Sequence, residues 1–528
     1  MSDPIKILVS DKLSDAGLAI LKSAGFEVDV KIGLKPAELA AVIAPYDGLV
    51  IRSGSKVTRE VIEAADNLKV VGRAGIGVDN VDVPAASERG VVVMNTPGGN
   101  AVTTAEHAIA MMMALSRKIP QASASMKSGK WEKTFMGVEL CGKTLGIIGL
   151  GRIGALVAKR ARGLEMKVIG FDPYISPEAA EKLGVETVGL EELYSRADFI
   201  TIHTILNDET RGLLNSKAFA KMKKGVRIIN CARGSIVDEK DLAEAIRQGI
   251  VAGAALDVFE KEPPDDMDFI KMDELVATPH LGASTKEAQE SVALGIAHQV
   301  VDFFSRGVII NAVNVPSLSP EQIPVVRPYL ELGEKLGLFI AQAAGGAPTK
   351  LEITYMGDAA ALPTQAITQA VVKGLLEAHV GKTVNFVNAS HLARSRGVTV
   401  SSTSSAAEGS YTSVVGVKLT TGNRETRIEG AVFPGGRAML LKLDDFYLEA
   451  HLSGDMILFT NNDKPGVIGA VATALGKNGV NIASFELTRV EQGGLAMAVV
   501  TVDSAPEPAV ISQLSKIENV REVRLVRL

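Results

Sequence analysis

Cysteine is nearly absent from this 528-residue chain, Cys141 and Cys231 being its only two. Two thiols so far apart build no disulfide framework and have no metal-knuckle spacing, which excludes a disulfide-stapled or zinc-ribbon architecture. Long apolar runs are missing as well. None reaches the roughly 18 residues a membrane span requires. The opening MSDPIKILVSD enters a strand pattern directly, without the basic and apolar regions of a secretory leader. The cytoplasm is the expected location. There is no basic excess: 56 Lys and Arg against 61 Asp and Glu leave a net charge of −5, the wrong sign for a nucleic-acid or membrane-surface partner. Histidines number only seven, so each one set in an unusual context is informative.

What is present is the ordinary balance of a globular chain, 46% hydrophobic and 22% charged. At roughly 150 residues per domain the length predicts three or four domains. The first three hundred residues alternate short β-branched runs (IKILVS, GLVIRS, LKVVGRAG, GVVVMN, TLGIIGL, KVIGFD, FITIHT, VRIINCA) with helical patterns. Continuous apolar runs are those of parallel strands covered on both faces, so two doubly wound, Rossmann-like α/β units are expected. The division predicted is 1–98 with 291–315, then 99–290. AVTTAEHAIAMMMALSRKI has the periodicity of a long helix crossing between the two, with Met111, Met112 and Met113 read as core. Pro316, Pro320, Pro324 and Pro328 predict an extended linker with no helix through it. Beyond it an α+β unit is expected over 316–453. A ferredoxin-like βαββαβ unit follows over 454–528.

The strongest motif is KTLGIIGLGRIGALVAKRARGLEMKVIGFDPY. Gly149, Gly151 and Gly154 make G-x-G-x-x-G between a strand and a helix. Gly149 permits the tight turn, Gly151 lets backbone approach a pyrophosphate, and Gly154 lets helix and sheet pack closely. The helix start, at Arg152 and Ile153, presents N–H groups to phosphates. Asp172, ending the next strand, would accept from ribose hydroxyls and repel a 2′-phosphate, which favours NAD over NADP. Three more patches sit at strand ends, where an open α/β sheet binds ligands. INCARGSIVDE carries Arg233, LDVFEKEPP carries Asp257 and Glu262, and VATPHLGAST carries His280 between Pro279 and Gly282. Each alone reads as surface charge or a loop histidine. Together they supply a cation for a carboxylate, a proton carrier and a carboxylate to tune it.

This combination resembles the D-2-hydroxyacid dehydrogenase family, in which an arginine, a glutamate and a histidine occupy these motifs. The resemblance implies that Arg233 binds the substrate carboxylate and polarises the C2 oxygen. It implies that His280 carries the proton, with Glu262 paired to favour the charged imidazole. It places Asp257 and the Cys231–Arg233 backbone at the nicotinamide, and Thr204 at the cofactor. IRSGSKVT, GRAGIGVDNVD and GKWEKTFMG, with ALDVF and PHLGAST, are similar to the branch acting on 3-phosphoglycerate, in its long form with an intervening and a terminal ACT domain. That implies phosphate binding by Arg52, Ser53 and Arg73, with Lys133 added from a partner subunit. Gly75 and Gly77 would allow the φ angles that turn backbone amides toward the carboxylate.

The implied reaction is NAD-dependent oxidation of 3-phosphoglycerate, entering L-serine synthesis, with side reduction of 2-oxo acids such as 2-oxoglutarate. A homo-oligomer, dimer or tetramer, is implied too. Ile205 stands where family members commonly carry proline, and Ile76 where they carry a small polar residue. The ACT resemblance places an effector, L-serine, at Asp463 and Asn481, against a plain reading in which Asp463 caps a helix and Asn481 sits in a turn. No metal is expected. Two rival readings are a dehydrogenase of an unphosphorylated 2-hydroxy acid and a non-enzymatic NAD sensor.

Overall fold

The computed structural model describes residues 4–319, 321–381, 383–405 and 411–528. Strands β1 (Lys6–Val9), β2 (Glu27–Val30), β3 (Gly48–Ile51), β4 (Val70–Arg73) and β5 (Val92–Met94) form a parallel sheet in the order β2-β1-β3-β4-β5. The apolar runs are buried for the expected reason, helices on both faces; all four residues of β3 are buried. A second parallel sheet comprises β6 (Thr144–Ile148), β7 (Lys167–Phe171), β8 (Glu186–Thr187), β9 (Phe199–Ile202), β10 (Val226–Asn230), β11 (Val251–Leu256) and β12 (Leu275–Ala277). Its order, β12-β11-β10-β9-β6-β7-β8, reverses direction between β6 and β9. A cleft at the carboxyl ends of the strands opens at such a reversal.

The helix Ala101–Arg117 begins the second unit and buries Ala105, Ala108, Met111, Met112 and Leu115. Met113 is 37% exposed, so the methionine run is core at two positions of three. Consecutive helical residues lie about 100° apart, and three in a row cannot all face one side. The helix Lys286–Arg306 returns to the first sheet: a Cβ at Gly72 would lie 2.9 Å from Ile296, and one at Gly48 would lie 3.2 Å from Phe304.

The expected proline linker gives way to a helix, Ile323–Ala344, with Pro328 inside it. Pro324 falls in the first turn, where an N–H has no intrahelical partner, and Pro328 forfeits one bond a turn later. Pro316 lies in irregular chain, and Pro320 lies outside the described residues. This helix packs on Thr364–Val380 at very short range. A Cβ at Gly337 would sit 2.0 Å from the Val371 carbonyl oxygen, and one at Gly374 would sit 2.0 Å from that of Glu334. The pair covers a mixed sheet of β13 (Pro348–Gly357), β14 (Thr399–Ser405), β15 (Ser413–Thr421), β16 (Arg424–Phe433), β17 (Arg437–Leu443) and β18 (Phe446–His451), in the order β14-β13-β15-β16-β17-β18. Asn385 docks this unit on the first, its Nδ2 donating to the Gly90 carbonyl at 3.0 Å.

The last unit runs β19 (Asp455–Asn462), helix Val467–Lys477, β20 (Ile482–Arg489), β21 (Leu495–Val502), helix Pro508–Leu514 and β22 (Val520–Arg527). Its antiparallel order, β20-β21-β19-β22, is the ferredoxin-like arrangement. Among the described residues no helix is long and apolar enough to cross a membrane.

Gly337→Val should force the Ile323–Ala344 and Thr364–Val380 helices apart. The expected cost is roughly 1–3 kcal/mol in urea unfolding of the carboxyl-terminal half, with NADH affinity unchanged.

Candidate active site

The glycine loop after β6 is built as its spacing requires. Gly149 has φ +92°, and a Cβ at Gly154 would lie 2.0 Å from the Gly149 carbonyl oxygen, so any side chain there would push the helix Arg152–Gly163 off the sheet. Gly151 precedes that helix in extended conformation, no side chain caps it, and the space where its Cβ would be is open. The N–H groups at Arg152 and Ile153 are therefore available to an anion. Asp172 accepts from the Leu150 N–H at 2.8 Å and the Tyr174 N–H at 2.9 Å. Two acceptor positions remain on its half-buried carboxylate. At the end of β9, Thr204 packs on the Gly149 turn, and its hydroxyl is buried without a partner. The residues fit a dinucleotide: an uncapped helix start, a cradle no Cβ fills, an acid at the adjoining strand end and an unsatisfied hydroxyl.

Across the cleft three guanidinium groups converge from both sheets. Arg233 follows β10; its Nε donates to Asp79 Oδ2 at 2.8 Å, and its Nη1 to the Ala232 carbonyl at 2.6 Å. Arg73 ends β4 with its Nε buried and unpartnered. Burial, then the positive charges of Arg233 and Arg52, press its pKa down to about 10, and Asp79 and Asp11 only partly counter them. Arg52 donates to the Lys12 carbonyl at 3.3 Å, and Ser53 beside it is exposed. The expected role of the glycines needs one correction. Gly75 does adopt φ +145°, but Gly77 has no positive φ. What Gly77 supplies is space, because a Cβ there would fall 1.7 Å from Arg233 Nη2.

His280 has φ +56°, a left-handed backbone that a residue with a Cβ adopts only under restraint. Its Nδ1 pairs with Glu262 Oε2 at 2.8 Å. Nε2 has no partner among the described residues and is the nitrogen open to the cleft. Burial pushes the Glu262 carboxyl up, but the hydrogen bond and charge of His280, with the Phe259 N–H, outweigh it and hold the carboxyl below its usual range.

Asp257 is wholly buried. Its Oδ1 accepts from the Thr278 hydroxyl at 2.6 Å, the Leu281 N–H at 2.7 Å and His107 Nε2 at 3.1 Å, and its Oδ2 from the Gly282 N–H at 2.8 Å. It thus faces the His280 loop more than the open cleft, with one acceptor position left on Oδ2. His107, Cys231 and Asp257 bring metal-type donor atoms within 4.8 Å of one another. Burial and the Asp257 charge keep the Cys231 thiol protonated, however, and the carboxylate already has its donors, so the set does not fit a metal centre.

Two residues escaped the sequence reading. His107 was legible as a polar residue on the buried face of an apolar helix. His203, held neutral by burial with a pKa near 4, shares a 2.9 Å hydrogen bond with the Thr201 hydroxyl and gave no sequence signal beyond its place at a strand end. In the last unit, Asp463 accepts from Arg489 at 2.6 Å and the Gly493 N–H at 3.0 Å, while Asn481 donates to Asp503 at 2.6 Å. Asp463 does not cap the following helix; Gly466 holds that position without a side-chain bond. It borders a cleft of about 410 Å³ with Lys464, Ile468 and Arg489, and Asn481 is not part of that lining.

Residues 109–282 match the model of the D-isomer specific 2-hydroxyacid dehydrogenase NAD binding domain, which defines the class as NAD-dependent oxidoreductases. Residues 325–444 match the D-3-phosphoglycerate dehydrogenase intervening domain, and 456–519 match the ACT domain. D-3-phosphoglycerate dehydrogenase of Archaeoglobus fulgidus is 43% identical over 528 residues, covering 99% of this chain and all of that one. The human enzyme of that name is 42% identical, covering 92% of this chain and 93% of its own. A solved NAD+-bound 3-phosphoglycerate dehydrogenase of Entamoeba histolytica superposes with a TM-score of 0.51 at 32% identity, over 60% of this chain and all of that one. The chain belongs to the D-3-phosphoglycerate dehydrogenase family.

Gly77→Ala should displace the Arg233 guanidinium and lower kcat/KM by roughly tenfold to a hundredfold, with NADH affinity, read by fluorescence, unchanged. The Glu262–His280 pair should stabilise the fold above the ordinary carboxylate range. That contribution should disappear as pH falls through the depressed Glu262 value, because the folded state then loses the charge it favours. In Glu262→Gln this part of the acid-side dependence of Tm should vanish.

Proposed function

We propose that this chain oxidises 3-phospho-D-glycerate to 3-phosphohydroxypyruvate, the first step of L-serine biosynthesis, with NAD as hydride acceptor. The observation that carries the reading is the guanidinium of Arg73 beside Arg52 and Arg233: its Nε is buried without an acceptor, and its Nη1 meets only the Ala74 carbonyl, at 3.3 Å. Like charges held this close are stabilised by an anion between them, and a substrate with a phosphate and a carboxylate supplies two.

Arg52, Ser53 and Arg73 take the phosphate. Arg233 and the N–H at Gly77 take the carboxylate, and Arg233 polarises the C2 oxygen. The N–H of Gly75, expected to join them, is already given to the Thr96 hydroxyl at 2.7 Å, so Gly75 serves by its positive φ in shaping the turn. His280 Nε2 removes the proton of the C2 hydroxyl while the C2 hydrogen leaves as hydride, and Glu262 on Nδ1 stabilises the imidazolium that forms. A bound NAD supplies the hydride acceptor. It would be held by Gly149, Gly151, Arg152, Ile153 and Gly154 at its phosphates, Asp172 at its ribose, and Thr204 and Cys231 along its nicotinamide half. Asp257, expected there too, has no exposed surface and supports the site from behind. Side reduction of 2-oxo acids uses the same groups in reverse.

The same reading divides the chain into a substrate unit (1–98 with 291–315), a cofactor unit (99–290), an intervening unit (316–453) and an effector unit (454–528), in a cytoplasmic homotetramer. The exposed apolar residues Ile119, Met126, Trp131 and Met136 support a second copy against the helix Ala101–Arg117 and the segment after it. Lys133 in that segment would reach the partner's cleft. In the effector unit, Asp463 and Asn481 of paired copies would share L-serine.

NADH formation at alkaline pH with 3-phosphoglycerate, glycerate and lactate tests the reading. Turnover confined to the phosphorylated acid and lost in His280→Ala is expected. Equal turnover of glycerate would reduce Arg52 and Arg73 to surface charge, and tight NADH binding with no turnover would favour the sensor.

A further inference from the structure

We propose that His107, which lies behind the cleft on the helix Ala101–Arg117, is a positioning residue for proton transfer: its Nε2–H holds the Asp257 carboxylate, and through it the loop that carries His280. This rests on the reading of His280 as the proton carrier.

The loop after β12 has little regular structure of its own to fix it. Three of the four donors to Asp257 come from that loop: the Thr278 hydroxyl and the Leu281 and Gly282 N–H groups. The Asp257 backbone carbonyl accepts the His280 N–H at 2.9 Å. The loop is therefore wrapped around one carboxylate, and the position of the imidazole depends on where that carboxylate stands. Among the described residues His107 is the one group outside the loop that meets the Asp257 carboxylate: its Nε2 lies 3.1 Å from Oδ1 and 3.3 Å from the Thr278 hydroxyl, so a single N–H is shared between the two. The hydroxyl gives its hydrogen to Asp257 and offers a lone pair to His107, which closes a three-membered hydrogen-bonded ring.

One turn earlier on the same helix face, the Thr104 hydroxyl lies 3.1 Å from the Gly282 carbonyl. Residues three apart on a helix are neighbours, so Thr104 and His107 grip the loop at two points. The left-handed backbone of His280 requires such outside restraint. The groups facing Asp257 are His107 from the helix, the Cys231 thiol after β10, and the His280–Glu262 pair beyond the loop. The thiol is protonated, which leaves His107 to offset the buried charge on the side away from the cleft.

The test is steady-state kinetics of the full-length protein with 3-phosphoglycerate and NAD across pH, for wild type, His107→Leu, His107→Gln and His280→Ala, with NADH dissociation constants measured alongside. His107→Leu is expected to lower kcat roughly tenfold or more, with the KM for NAD and the NADH dissociation constant within about twofold. The acid limb of kcat/KM should move to higher pH, because an uncompensated Asp257 favours the charged form of His280. His107→Gln, whose amide N–H can reach the same oxygen, should recover most of the rate.

An unchanged kcat and an unshifted limb in His107→Leu overturn the proposal. Parallel loss of NADH binding and rate in both His107 variants also overturns it, since the role would then be only structural. Should the leucine variant alone fail to bind NADH, Thr278→Val opens the same ring from the loop side. It must then show the shifted limb with NADH binding kept, and an unshifted limb there overturns the proposal. His280→Ala separates the two readings. If it turns over normally, His280 is not the proton carrier; if it is dead while His107→Leu is normal, only the present inference fails.

Discussion

Asp257 carries a negative charge into the interior at the end of β11, with none of its surface left to water. Removing a carboxylate from water costs several kcal/mol after relaxation, and the fold offsets this with four donors drawn from two segments of chain. Such a group tolerates few alternative arrangements of its partners, because any N–H that swings away leaves part of a buried charge unanswered. The segment from Thr278 to Gly282 is thereby pinned although it belongs to neither helix nor strand. The imidazole of His280 inherits its position from that pinning.

The opposite condition prevails across the cleft. Around Arg73 cations outnumber the anions that could answer them, and one guanidinium nitrogen stays buried with no acceptor. Asp79 accepts its hydrogen bond from Arg233 and acts on Arg73 only through its charge. An over-satisfied anion on one wall and under-satisfied cations on the other give the cleft a rigid proton-transfer side and a side whose electrostatic deficit a doubly anionic ligand removes. The two walls come from different sheets, joined by the helices Ala101–Arg117 and Lys286–Arg306.

Local requirements were legible in the sequence. The turn at Gly149 and the close approach at Gly154 need only a few consecutive residues, and the backbone adopts what their spacing demands. The βαββαβ order of the last unit could be read from alternation and turn residues alone. The prolines misled because a helix tolerates proline in its first turn and gives up one bond for a second, so Pro324 and Pro328 mark the start of a helix as well as they mark a linker. Gly77 was assigned a backbone role because glycine so often has one. Its purpose is to leave room for a guanidinium attached more than a hundred residues away in the chain, which no local pattern records.

The sequence by itself determined the strand and helix periods, the dinucleotide loop and the acid at the end of β7, since each depends on residues within a turn or two of one another. Only the tertiary structure decided that the Nε of Arg73 lacks an acceptor, that Gly77 yields its volume to Arg233, and that His107 reaches Asp257. Those facts depend on which strand ends come to lie side by side, and that is fixed by the packing of whole sheets and the helices between them.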